Sequence, residues 1–271
     1  MENYQVLLSE YNDCIETYKK KFEQKLSQKD LFEYNEVLFS THSCAIENNT
    51  FSVNDTRALK EHGLNLKLHN KSLREAFEIL DHFKAFEYLF NDLNMPLTEK
   101  LILNTQKLLT LNTQLYSTGK QPGEYSDTIM AAGDTIFGDA KENQKSIPML
   151  MEQAQEALDK NQAPAIEISA RFHQYFIYLH PFPDGNGRVG RLISNYILAK
   201  KNEPLVIITN EQKNKYIEAL KASNKHKDMA PICSFFIHTS IHRMKSELNQ
   251  LNNKIPDTIP NKKSKGLSFI F

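Results

Sequence analysis

The sequence predicts an all-α fold interrupted by a single β-hairpin. Three observations carry that prediction. Apolar residues recur at i, i+3 and i+4 through most of the chain, and prolines and cap residues cut it into helix-sized pieces. One stretch poor in helix formers, bracketed by Gly123 and Gly133, breaks the helical period.

In chain order, residues 31–47 read as a helix with Leu31, Tyr34, Leu38 and Ile46 among its apolar positions, and Asn48 is suited to ending it. Ser52 offers an N-cap and Asp55 the carboxylate three residues on, so a new helix starts there. Residues 71–93 carry Leu73, Phe77, Leu80, Phe83, Leu89 and Leu93 along a predicted core stripe. Pro96 and Thr98 open another helix, through Leu101 and Leu108. The segment 121–136 is the predicted hairpin. Pro164 suits a first helical position and Glu167 the positive end of the dipole. That helix runs through Ile166, Ala170, His173, Ile177 and Tyr178 and stops at His180, because Pro181 and Pro183 cannot continue it. The period resumes near Arg188, with Leu192, Asn195, Tyr196 and Ala199. After a short apolar run at 204–208, a helix is expected from about 211 to 224, and Asp228 and Pro231 open a long last one through Ile232, Phe236 and Ile241.

Lys+Arg and Asp+Glu each number 33, so no diffuse electrostatic hold on nucleic acid or an anionic membrane is indicated. No apolar run is long enough to span a bilayer, and the start, Met1-Glu2-Asn3-Tyr4, has no signal-peptide core. The cysteines, Cys14, Cys44 and Cys233, are odd in number and far apart, which points to buried thiols in a reducing cytoplasm. His238 and His242 have the i, i+4 spacing of a zinc pair but lack a third ligand, so no zinc is expected there.

The chemistry is concentrated at residues 180–191, His-Pro-Phe-Pro-Asp-Gly-Asn-Gly-Arg-Val-Gly-Arg. Here a turn empties into a helix N-terminus, where unpaired backbone N–H groups and the dipole favour an anion. Gly185 and Gly187 let the main chain approach phosphate oxygens. Arg188 and Arg191 share a helical face, from which both can fork onto those oxygens. Asp184 is a hard ligand for magnesium, and His180 is a proton-transfer group.

This stretch resembles the Fic family, whose motif His-x-Phe-x-(Asp/Glu)-Gly-Asn-Gly-Arg-x-x-Arg it matches at every fixed position. The resemblance implies a Fic-type helical bundle with the hairpin as a flap beside the active-site loop. It implies transfer of AMP from ATP to a Ser, Thr or Tyr hydroxyl of a protein, with His180 as general base, Mg²⁺ on Asp184, and Phe182 anchoring the loop. Gly185, Asn186 and Gly187, with Val189 and Gly190 behind them, would hold the inner phosphates, and Arg188 and Arg191 the outer ones. Relatives with variant loops move UMP, phosphocholine or phosphate, and some also remove AMP. A regulatory module that senses the nucleotide without spending it is the rival outside enzymes.

Upstream, Ser43-Cys44-Ala45-Ile46-Glu47-Asn48 fits the inhibitory (Ser/Thr)-x-x-x-Glu-(Gly/Asn) motif of many Fic proteins. By that resemblance Ser43, Glu47 and Asn48 form a latch in which Glu47 pairs with Arg191 and keeps it from the γ-phosphate. Alignment with the family sets Ala132, Gly133, Asp134 and Thr135 where the flap touches nucleotide, and Tyr216 and Asn224, two turns apart, against the adenine. The target would dock on the flap by strand addition. The expected division is an N-terminal helical region at 1–39, a Fic domain with its inhibitory helix at 40–250, and a tail at 251–271. The tail is polar with an apolar tip, Gly266-Leu267-Ser268-Phe269-Ile270-Phe271, that can dock on its own or a neighbouring subunit, so a homo-oligomer is among the expected partners.

Overall fold

A computed structural model describes residues 4–253 other than 66, 68–69, 129–130, 133–134 and 137–139. The N-terminal half holds α1 (Tyr4–Lys21), α2 (Gln28–Ile46), α3 (Val53–His62), α4 (Leu73–Phe90), α5 (Glu99–Leu109) and the short α6 (Gln114–Thr118). The C-terminal half holds α7 (Ala140–Asp159), α8 (Ala165–Leu179), α9 (Asn186–Lys200), α10 (Lys213–His226) and α11 (Ala230–Asn253). Among the described residues, Ala131–Ala132 (β1) and Thr135–Ile136 (β2) pair antiparallel, Ala131 opposite Ile136 and Ala132 opposite Thr135. That is a two-rung ladder, and Gly133 and Asp134 between its strands lie outside the described residues.

The cap expected at Ser52 is present, and Thr98 caps the helix it was expected to open, while the caps at Ser27 and Ser72 were not foreseen. Ser27, Ser52, Ser72 and Thr98 each accept a backbone N–H three residues on, and Ser52 with Asp55 and Ser72 with Glu75 close full capping boxes. The stripe expected in α4 is corrected at both ends. Leu73 is 53% exposed and Leu93 37%, whereas Ala76, Ile79, His82, Phe86 and Leu89 are buried. Phe83 and Leu89 are buried as expected, and the buried face also includes a histidine that a search for apolar periodicity passes over.

α8 lies between two cores. Ile168, Phe172 and Phe176 face one shared with α4, α5, α7 and α9, and Ile166 and Ala170 face another built with α1, α10 and α11. A helix buried on two sides has little freedom to shift, and His180 sits at its end. The run 204–208 is buried but extended. Its Val206 exchanges two hydrogen bonds with the Asn195 side chain (2.7 and 3.0 Å), an amide acting as a strand partner.

A buried polar cluster ties the first two helices to the last. Arg243 donates to Glu247 (2.9 Å), to the Leu205 carbonyl (2.6 Å) and to Asn35 (2.7 Å), while Tyr18 and Tyr34 donate to Glu247 at 2.6 and 2.7 Å. The boundary expected between residues 39 and 40 falls inside α2, and α1 packs into the same apolar cluster as α11. The first helices are thus a layer of the bundle, because their apolar faces find their partners on its C-terminal helices. The three cysteines are buried and unbridged. Among the described residues no helix is long and apolar enough to cross a membrane, and no cluster of three metal-ligating side chains occurs. The apolar tip at 266–271 lies outside the described residues.

Candidate active site

α8 ends at His180, which caps it in the left-handed conformation (φ 44°, ψ 55°) with its N–H on the Phe176 carbonyl. That conformation is uncommon for a residue with a side chain, although histidine tolerates it better than most. It turns the chain into Pro181 and the loop. Phe182 is fully buried and stacks on Tyr125 (centroids 5.3 Å apart, 19° between planes). Gly185 then caps α9 at φ 82°, where a Cβ would lie 3.1 Å from the Thr110 methyl.

The loop is braced from within and below. The Asn186 side chain brackets the Phe182 backbone, accepting its N–H at 2.9 Å and donating to its carbonyl at 2.6 Å. Asn186, expected among the residues at the inner phosphates, is 3% exposed, and both ends of its side-chain amide are engaged in closing the loop. Gln106 of α5 donates to the Asp184 carbonyl at 3.1 Å and to Gln114, and accepts the Gly123 N–H at 2.5 Å. These glutamines were missed at the sequence level. The available signal was a polar residue inside the buried Ile102, Gln106, Leu109 face of α5.

The α9 terminus carries no side-chain cap. By helix geometry the amides of Asn186, Gly187 and Arg188 have no intrahelical acceptor. Val189 differs from expectation: its side chain is in the apolar core and its N–H is spent on the Gly185 carbonyl (2.8 Å). The Gly190 α-carbon likewise faces away from the loop, toward Phe176 and His173, where a Cβ would meet ring atoms at 3.1–3.2 Å.

Arg188 and Arg191 are each 3% exposed. Arg188 reaches Asp184 Oδ1 at 3.2 Å, yet its Nε and Nη1 are buried with no hydrogen-bond partner. Burial opposes its charge, and Asp184 outweighs that with the help of Glu47 and others, so its pKa is raised. Unpartnered buried guanidinium donors are costly unless an anion completes them. The described contacts of Asp184 fall on Oδ1, from Arg188 and from the Gly185 N–H at 2.6 Å.

Arg191 is engaged by the end of α2. Its Nε donates to Ser43 Oγ (3.1 Å), and Nη2 donates to the Ser43 carbonyl and to Glu47 Oε1, each at 2.8 Å. Burial works to raise the Glu47 pKa, but Arg191, Arg188 and Lys213 outweigh it and hold the carboxyl below its usual range. A Cβ on Gly187 would stand 2.5 Å from Glu47 Oε1, so glycine there is what allows the carboxylate to approach the loop. Asn48 has φ 70°, which explains why a motif of this kind ends in Gly or Asn. Its Oδ1 accepts from Lys213 Nζ of α10 at 3.0 Å, a contact no local pattern revealed.

The His180 Nδ1 is 3.3 Å from the Ile177 carbonyl, which accepts only, so the proton belongs on Nδ1 and Nε2 carries the lone pair. Burial pulls the pKa down to about 4, against the Ile177 carbonyl and the Glu47 charge, which act to raise it. The imidazole is therefore neutral at pH 7.

The residues aligned with adenine contacts do not share an open face. Tyr216 is 4% exposed, bonded through its hydroxyl to His173 Nε2 at 2.7 Å and packed on Phe235, whereas Asn224 is exposed at the end of α10. The helix turns through more than two full turns between them, and only the tyrosine side meets the core. His173 is fully buried, and burial with the Arg191 charge pushes its pKa to about 3. Between that value and the ordinary 6.5 the unfolded chain binds a proton that the folded one refuses, so acid costs stability below pH 6.5. The stability gap between the wild type and His173→Gln, from denaturant unfolding, is expected to narrow by about 2 kcal/mol from pH 7.5 to 5. A gap independent of pH would contradict the neutral, buried state.

In this helical bundle an imidazole ends one helix and buried arginines line the N-terminus of the next. Residues 96–198 match the model described as the Fic/DOC family. It is 29% identical over 199 residues to the protein adenylyltransferase Fic of Drosophila grimshawi, covering 72% of this chain and 39% of that protein. The chain thus spans about two fifths of the length of the curated relatives it matches. In structure it resembles a Fic-domain signaling protein from Bacteroides thetaiotaomicron, with TM-score 0.75 and 21% identity over 93% of this chain and 97% of that one. It also resembles Fic-1 from C. elegans, with TM-score 0.71 and 22% identity over 90% and 71% of the two chains.

Proposed function

We propose that this chain is a protein adenylyltransferase that moves AMP from ATP to a Ser, Thr or Tyr hydroxyl of a target protein and is restrained by Glu47. The observation that carries the reading is the α9 terminus: capless first-turn amides and a buried Arg188 with two unpartnered donors, beside a neutral imidazole. The relatives named adenylyltransferases support the choice of AMP.

In this reading the ATP phosphates lie over the amides of Asn186, Gly187 and Arg188, with the Arg188 and Arg191 side chains on the outer ones. The target hydroxyl gives its proton to His180 Nε2 as its oxygen attacks the α-phosphorus. The α–β anhydride bond breaks, and pyrophosphate leaves with the bonding electrons. Asp184 is the residue that would hold Mg²⁺. A lone carboxylate with no described contact on Oδ2 suits an ion that takes one or two carboxylates and completes its shell from phosphates and water. Bound there, magnesium supplies charge neutralisation on the phosphates. The ladder of β1 and β2 belongs to the flap, and the target backbone adds to it as a further strand. The three buried thiols fit a reducing compartment such as the cytoplasm.

The test is Mg²⁺ with ATP labelled at either the α- or the γ-phosphate, using Glu47→Gly and intact-mass analysis. Retained α-label with a mass gain of one adenylyl group supports the reading. Retention from the γ-position alone would indicate kinase-like transfer, and nucleotide binding with no covalent label a sensing module.

Lys213 supports the latch from outside the motif, through Asn48 and the field at Glu47. Lys213→Ala is expected to raise basal AMP transfer roughly two- to five-fold, the size of an exposed charged contact of about 0.5–1 kcal/mol. An unchanged rate would remove Lys213 from the latch.

A further inference from the structure

The direction in which the Asp184 carboxylate points is tied to one peptide group. The Gly185 N–H donates to Asp184 Oδ1 at 2.6 Å, and the carbonyl of that same peptide unit accepts from Gln106 Nε2 at 3.1 Å. We propose that Gln106 positions the Asp184 carboxylate for Mg²⁺ by holding the plane of the 184–185 peptide, making it a positioning residue for the transfer. The inference rests on the adenylyltransferase reading and adds to it a residue of α5 that lies outside the loop.

The carbonyl and N–H of a trans peptide point in opposite directions, so a donor fixed on the oxygen also fixes the aim of the N–H. With the Asp184 carbonyl anchored by Gln106, the Gly185 N–H is aimed at the carboxylate and draws Oδ1 to it. Arg188 Nη2 reaches the same oxygen at 3.2 Å. Both contacts fall on Oδ1 of a side chain that is 27% exposed. A carboxylate tethered by one oxygen presents the other to a cation that completes its shell from phosphates and water. Rotation of the peptide plane would undo this, turning the N–H away and setting a carbonyl oxygen toward the carboxylate.

Gln106 is itself held in one orientation. Its Oε1 accepts the Gly123 N–H at 2.5 Å, and its Nε2 also donates to Gln114 Oε1. A backbone N–H can only donate and a backbone carbonyl can only accept, so the two ends of the Gln106 amide cannot be exchanged. Gln114 is placed in turn by the Thr110 hydroxyl, 3.2 Å from its Oε1, and by the Gln121 carbonyl, which accepts from its Nε2 at 2.7 Å. Both glutamines are fully buried, where any other arrangement would leave a donor or an acceptor unpaired. The Thr110 methyl completes the floor, 3.1 Å from where a Cβ on Gly185 would stand. The turn therefore rests on a rigid polar base contributed by α5 and α6.

The experiment uses the full chain carrying Glu47→Gly and measures ATP binding by calorimetry, in Mg²⁺ and in EDTA, before and after adding Gln106→Met. Methionine keeps the length of the side chain and removes its donors and its acceptor. Binding in Mg²⁺ is expected to weaken roughly ten-fold while binding in EDTA stays within about two-fold, because only the metal-bound nucleotide uses the carboxylate. Adding Gln106→Met to Asp184→Ala should then change neither affinity. A merely structural glutamine would weaken binding alike in both media, or lower the melting temperature with both affinities unmoved, and either result overturns the positioning role alone. Absence of nucleotide binding in Glu47→Gly itself would overturn the nucleotide reading, and the role of Gln106 with it. Should Gln106→Met fail to fold, Gln106→Asn keeps an amide in the core but is one methylene too short for the Asp184 carbonyl. An unchanged ratio of the two affinities in that variant overturns the proposal equally.

Discussion

Replacing Glu47 by glycine is expected to raise AMP transfer on the order of 100-fold, read as the initial rate of adenylyl incorporation with saturating Mg²⁺-ATP. The figure corresponds to a restrained form favoured by about 2.7 kcal/mol, which leaves roughly one molecule in a hundred competent. Such a value suits the pair. Arg191 is 3% exposed in its side chain, but Glu47 is 42% exposed, so water screens one partner. A fully buried pair broken on one side would cost about 3–5 kcal/mol and an exposed one about 0–1, and this contact belongs between. Two of the cations acting on Glu47, Arg188 and Arg191, are those proposed to meet the phosphates, so removing the carboxylate frees charge as well as space. Equal rates for the wild type and Glu47→Gly would end the latch proposal, whatever the fate of the chemistry.

His180→Ala is expected to abolish transfer even in the Glu47→Gly chain, by about 10²–10⁴-fold, the usual contribution of a positioned general base. ATP affinity should change little, since the phosphates rest on α9 while the imidazole belongs to the end of α8. The pH profile offers a second check. A base with its pKa pushed down to about 4 is deprotonated, and hence active, at any pH well above that value. The acid limb of kcat/KM in Glu47→Gly should accordingly fall below the ordinary histidine value of about 6.5. The limb of kcat should lie higher, because bound phosphates favour the protonated imidazole. A limb in kcat/KM at or above 6.5 would mean that the imidazole is not the buried, neutral group described.

Much of the site was legible in the sequence because its parts are local. Prolines at 181 and 183 ended a helix, Gly185 made the turn, and Ser52 with Asp55 wrote out a capping box that the structure reproduces. Asn48 announced its positive φ by its residue type. What could not be read depends on tertiary neighbours. Asn186 has the chemistry of a phosphate ligand, and only the folded loop reveals that both ends of its amide are occupied by Phe182. Tyr216 could equally line a pocket or a core until His173 and Phe235 are set against it. Gln106 and Lys213 act across 78 and 165 residues respectively, beyond any window of periodicity. In α4 the apolar pattern held at Phe83 and Leu89 and failed at Leu73, and it passed over His82, which occupies a buried position where it meets Ser40 at 2.9 Å.

The roots of α2 constrain how Arg191 can be let go. Tyr34 and Asn35 are bonded into the Arg243–Glu247 cluster, and Ser40 is bonded to His82, so the shaft of the helix is riveted at several points before residue 43. Just past its C-terminal end, Glu47 and Asn48 are exposed. The cheapest motion that parts the guanidinium from the carboxylate is thus a rotation about the side-chain bonds of one glutamate, with the scaffold and the Ser43 contacts standing still. Restrained and unrestrained molecules should then superimpose almost atom for atom in their main chains. An activator would have to grip the tip of the helix, because leverage applied anywhere along its length would be absorbed by the rivets.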